Sequence, residues 1–161
     1  MKYFFVSFLF LLVLHCSGTK ADSFKLNISY FKGEKSKDSH SSNEIFSIEG
    51  QTVSYSIKYS GRRGKNQEDS QKECTFTEQD IANIKTTIIS KGLNSNQTLT
   101  EENSKSKSFE VYCNIVLDLT LDGSDYKIRI NGDTQEFNNN VFYNDTIFFI
   151  ALLQKMVKDC S

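Results

Sequence analysis

The chain of 161 residues contains no proline and no tryptophan. Without proline there is no polyproline segment for a docking groove to read, and without tryptophan no pocket can be built on an indole. Histidine is scarce too, with His15 just after an N-terminal apolar stretch and His40 as the only other one. A single histidine cannot supply a multi-histidine zinc site or a His-x-x-x-His pair on a helix. A Ser-His-Asp or Cys-His device would have to use His40, which sits in the polar run Lys35-Ser36-Lys37-Asp38-Ser39-His40-Ser41-Ser42, read as a loop. The four cysteines include no Cys-x-x-Cys pair, which excludes a thioredoxin-like redox motif and a zinc ribbon. A basic excess is also missing. Without Lys2 and Lys20 the chain carries 17 basic against 20 acidic residues, so no basic face for nucleic acid is expected. No apolar run after residue 14 is long enough to suggest a transmembrane helix.

The one long apolar run is N-terminal. Lys2 precedes Tyr3 to Leu14, and small and polar residues follow in Cys16-Ser17-Gly18-Thr19-Lys20-Ala21. A basic start, a short apolar stretch and a small-residue exit describe an export signal over residues 1–21, too short to span a bilayer. Small residues at the exit allow a cut before Thr19 or before Asp22. Val13-Leu14-His15-Cys16 also resembles a bacterial lipoprotein box, and that resemblance implies a lipid on Cys16 as the sole membrane attachment. The working expectation is export, either secreted, periplasmic or lipid-anchored, with residues 22–161 forming one domain.

Period-2 alternation dominates that domain. Phe24, Leu26, Ile28 and Tyr30 mark a half-buried strand. Ile45 to Ile48 and Val53 to Tyr59 form a hairpin around Glu49-Gly50, and Cys74 and Phe76 mark a short strand. Phe109, Val111, Cys113, Ile115, Leu117, Leu119 and Leu121 occupy successive odd positions, and Tyr126, Ile128 and Ile130 return after the Asp122-Gly123 turn. Two segments change to a helical period. Ile81, Ile84 and Ile88 share a face from about Glu78 to Lys91, with Thr77 and Asp80 as a capping box and Gly92 as the stop. Phe149, Leu152, Leu153, Met156 and Val157 form a stripe from about Thr146 to Lys158, capped by Asn144 or Asp145. Ile147 and Phe148 extend its apolar surface and are expected to be buried. Residues 94–108 read as a loop. The predicted fold is α+β: a single antiparallel sheet of about six strands with both amphipathic helices on its apolar face. A signal ending in Cys and then a strand-rich α+β module resembles small exported, lipoprotein-like α+β proteins.

Three cysteines follow the signal, so one disulfide and one leftover thiol are expected in an oxidising compartment. Cys74–Cys113 is favoured, because both lie on inward strand faces, with Cys113–Cys160 as the competitor. No catalytic, metal or cofactor-binding set is identified, and an enzyme is not expected. Asp118, Asp122 and Asp125 do not follow the calcium-loop spacing. Arg62, Arg63 and Lys65 form the one compact basic cluster, and Tyr112 faces away from the core on the longest strand, so these four are the candidate partner contacts. Of the sequons at Asn27, Asn96 and Asn144, only Asn96 falls in an evident loop, making it the glycosylation candidate. The favoured function is a non-enzymatic interaction module that binds a protein or surface ligand with its sheet face and loop tips. One alternative is a secreted inhibitor or effector using the Arg62-Arg63 loop. Another is a hydrolase built on carboxylates such as Glu110 or Asp118.

Overall fold

Alternation becomes one sheet. In a computed structural model, residues 23–34, 40–61, 68–100 and 111–160 are described. The strands are β1 (Lys25–Glu34), β2 (His40–Glu49), β3 (Thr52–Gly61), β4 (Ser70–Thr75), β5 (Gln97–Thr100), β6 (Val111–Leu121) and β7 (Ser124–Asp133). The helices are α1 (Glu78–Ser90), between β4 and β5, and α2 (Val141–Asp159), after β7. The sheet order is β4-β3-β2-β1-β6-β7-β5, so β1 is central with three strands on either side. The α+β class stands, but the expected six antiparallel strands are corrected to seven in a mixed sheet. The addition is β5, which pairs parallel with β7 through Gln97↔Ile128 and Leu99↔Ile130. A four-residue edge strand with one apolar side chain, Leu99, carries too little alternation to be read as anything but loop.

Each helix owes its ends to identifiable groups. Thr77 accepts from the Asp80 N–H at 3.1 Å, and the Asp80 carboxylate accepts from the Thr77 N–H at 2.9 Å. The Thr77 hydroxyl also donates to this carboxylate, at 2.6 Å, and that bond together with the one from the Thr77 N–H holds the Asp80 carboxyl below its ordinary range. Gly92, at φ 65°, then ends α1 as expected, and the Leu93 N–H returns to the Ile88 carbonyl at 2.9 Å. In α2 the expected start is corrected. Asn140 is the cap, accepting from the Tyr143 N–H at 3.0 Å, while Asn144 donates to the Asn138 carbonyl. The earlier cap recruits Val141, 74% exposed, into the first turn, so no apolar stripe announces it.

α1 carries the chain under the sheet from β4 at one edge to β5 at the other. α2 crosses the same face diagonally: Tyr143 meets Cys113 of β6, Gln154 reaches Glu44 of β2, and the last turn reaches Lys72 of β4. Lys91 and Asp145 tie the two helices together at 2.7 Å. Between helices and sheet lie Leu26, Ile28, Phe46, Ile84, Leu117 and Phe149, all essentially sealed from solvent. Phe148 corrects another expectation. It is 54% exposed, on the side of α2 away from Phe149 and Leu153, with the Lys91 ammonium 5.1 Å from its ring.

The disulfide pairing is also corrected. Cys74 bonds Cys160, closing a loop of sequence separation 86, and Cys113 is free and buried. Facing the core from β6 does not bring Cys113 to Cys74, because β3, β2 and β1 lie between β6 and β4. The diagonal path of α2 delivers Cys160 to β4 instead. Lys72, two residues before Cys74 on the same strand face, donates its ammonium to the carbonyls of Val157, at 2.9 Å, and Cys160. These carbonyls have no partner inside the helix, so a cation there is favourable for both hydrogen bonding and the helix dipole.

Candidate binding face

Both helices pack on one side, so the opposite face of the sheet carries no covering element among the described residues. Strand registers fix its layout. Ser29 of β1 stands opposite Ile45 of β2 on one side and Val116 of β6 on the other. The row continues from Ile45 to Ser56 of β3, and from Val116 to Arg129 of β7. The next row runs from Lys58 through Asn43, Phe31 and Asn114 to Asn131. Most side chains here are small and polar, and several bond sideways. Ser47 donates to Asn27 at 2.9 Å, Tyr112 to Asn131, and Thr120 to Asp125 at 2.7 Å.

Three apolar residues interrupt this field. Ile45 is 44% exposed, and Phe31 and Val116 are half-buried. They lie on neighbouring strands, Phe31 diagonal to both others, and Tyr112 meets the Phe31 ring edge-on at 6.2 Å. Sequence reading placed Tyr112 on this side of β6 and missed the other three. The signal was present as apolar runs that break the alternation, the pairs Tyr30-Phe31 and Ile45-Phe46 and the triplet Ile115-Val116-Leu117. Since period 2 sends neighbours to opposite faces, at least one member of each run must point outward.

Beside this island, Lys25, Asn96, Asp118, Thr120, Asp125 and Lys127 line an open depression of about 510 Å³. Asn96 is exposed at the start of β5, and its side-chain carbonyl accepts from the Lys127 N–H at 2.8 Å. Asp118 lies between Lys127 at 3.5 Å and Arg129 at 3.8 Å, while Asp125, the other acid of the depression, accepts from Thr120. Asp122, at φ 52°, and Gly123 form the β6–β7 turn. Among the described residues no group of three or more His, Cys, Asp or Glu side chains is placed to hold a metal ion. His40 lies in β2, 3.2 Å from Glu34, rather than in the loop expected for it. Residues 1–22, Arg62, Arg63, Lys65 and Glu110 fall outside the described residues, and with them Cys16 and the basic cluster.

The covered face holds a second polar cluster that sequence reading did not find. Glu44 is buried, accepting from Tyr55 at 3.1 Å and from Gln154 at 2.8 Å. Tyr143 donates its hydroxyl to the Cys113 sulfur. Burial pushes the Tyr30 hydroxyl up to about 12, with Cys113 and Glu44 adding to the shift. It likewise raises Tyr55 and Tyr143, and lifts the Cys113 thiol to about 11. A thiol so placed is a packed core group, not a nucleophile.

Alkaline stability follows from these directions. Folded values above the unfolded ones mean that the native state holds protons the unfolded state has released. The associated stability is intact below the unfolded values and is lost as pH rises through the folded ones. Stability should therefore fall from pH about 9 for Cys113 and about 10 for Tyr30, through to about 11 and 12. Urea midpoints measured at rising pH should show the decline, and Tyr30→Phe should flatten its upper part. An identical slope in the variant would remove Tyr30 from the explanation.

No helix among the described residues is long and apolar enough to cross a membrane. No family model matches this chain, and no curated protein matches it either.

Proposed function

We propose that the protein is an exported, non-enzymatic interaction module whose working surface is the uncovered face of the sheet. The observation that carries this reading is the island of Phe31, Ile45 and Val116 set into a polar, largely neutral face opposite both helices. Outward apolar side chains clustered at the centre of an otherwise polar sheet face are a pattern of recognition surfaces. The Cys74–Cys160 disulfide supports an oxidising compartment, as export would provide.

The reading is tested with fluorescently labelled protein on cells of the source organism. Wild type should bind saturably and be displaced by unlabelled protein, while Ile45→Asp, which leaves the packed side of β2 untouched, should lose at least most of that binding. Equal binding by Ile45→Asp and wild type would show that the face is not the working surface.

A further inference from the structure

We infer that the uncovered face docks a second copy of this chain, forming a two-fold sandwich of two sheets with the helices on the outside. The inference rests on the reading of this face as the binding surface and names its partner. Three observations carry it.

The first is symmetry. β1 is the middle strand of seven, and Ile45 and Val116 stand one strand to either side of it, both in register with Ser29. A two-fold axis lying along β1 between two facing sheets places Ile45 over Val116 of the partner subunit. The same operation returns Val116 to the partner's Ile45 and sets Ser29 and Phe31 near their own copies. That reciprocity is what an isologous interface requires. Face-to-face sheets commonly cross at about 30°, and residues so near the axis shift little under that rotation.

The second is area. The five central strands β3, β2, β1, β6 and β7 are 10 or 11 residues long. With strands about 4.8 Å apart and a rise of about 3.3 Å per residue, they present a face of about 800 Å². That is close to the roughly 800 Å² per partner of a standard-sized stable interface.

The third is the polar pattern. Covering Ser and Asn groups costs little when they already bond one another across the face, as Ser47 does with Asn27 and Tyr112 with Asn131. Asp118 on β6, one strand from the axis, is already paired with Lys127 and Arg129 of β7. The row beside the island runs from Glu73 of β4 through Ser54, Ser47, Asn27 and Asp118 to Lys127 of β7. The two-fold sets Asp118 over Ser47 of the partner subunit and Lys127 over the partner's Ser54, so each of these charges faces an uncharged hydroxyl.

Sedimentation equilibrium of the oxidised protein across the micromolar range tests the inference. The expected result is a monomer–dimer equilibrium, with Ile45→Asp weakening it about a hundredfold because each substitution acts at two symmetry-related contacts. Circular dichroism and an intact Cys74–Cys160 bond would show that the variant is folded. Ser29→Cys provides an independent readout: a short bis-maleimide should join two chains through this axial position, and the same change at exposed Ala151 on α2 should not. A wild type that stays monomeric throughout the range overturns the inference, as does a dimer that Ile45→Asp leaves unchanged or that cross-links through Ala151 alone. A monomeric wild type whose cell binding still needs Ile45 would overturn the second copy as partner while leaving the working face in place.

Discussion

Replacing Cys160 with Ser, or reducing the Cys74–Cys160 bond, is expected to cost the fold about 4–5 kcal/mol and roughly 10–20 °C in Tm by the loop-closure argument. The magnitude follows from the size of the closed loop, whose ends are 86 residues apart. Opening it restores to the unfolded chain the freedom of nearly everything between β4 and the end of α2. Native contacts at the junction act in the same direction. Lys72 stays in place to hold the terminal carbonyls of α2, so the helix should remain docked while the unfolded state gains entropy. Thermal unfolding with and without a dithiol reductant measures this directly. A shift below about 3 °C would mean that the unfolded chain keeps α2 near β4 without the bond.

Phe46→Ala should cost about 3–5 kcal/mol, whereas Ile45→Ala, one residue away, should change stability by less than about 0.5 kcal/mol in dilute solution. Phe46 is fully buried on the covered face, its ring 4.8 Å from that of Tyr55. Its removal leaves a void beneath β2 that close-packed neighbours fill only in part. Ile45 lies on the other side of the same strand and touches no such core. Paired urea titrations of the two variants compare covered and uncovered faces with one chemical change. Equal losses would mean that Ile45 is as buried in solution as Phe46, contrary to the two-faced sheet.

These contrasts also show what could be read without coordinates. Odd-position apolar residues from Cys113 to Leu121, and the Thr77/Asp80 box with Gly92, act through nearest neighbours along the chain, so β6 and α1 were legible. β5 was not, because an edge strand can be polar when its pairing partner, β7, supplies the order. Much of β2 was hidden for a related reason. Glu44 takes an inward position where alternation calls for an apolar residue, and only Tyr55 and Gln154, remote in sequence, make that burial tolerable. The disulfide depended on the direction in which α2 crosses the sheet, which no local pattern encodes. For the candidate face, parity identified Tyr112 and the apolar runs contained Phe31, Ile45 and Val116. Their convergence required the register of β1 between β2 and β6.

The orientation of β1 has a further consequence. The chain enters the sheet at Phe24, whose carbonyl accepts from the Gly50 N–H at 3.0 Å, while Glu34, His40, Gly61 and Val111 lie at the other end of the strands. A strand of 10 residues separates the two ends by about 33 Å. An attachment made through the residues before Phe24 would therefore meet the sheet at this end of its strands, with Glu34, His40, Gly61 and Val111 at the end away from it. A two-fold axis along β1 keeps both entry points on the same side of the pair. Two chains rooted in one surface could then join as neighbours without either bending over, whereas chains rooted in opposing surfaces would present their sheets upside down to each other.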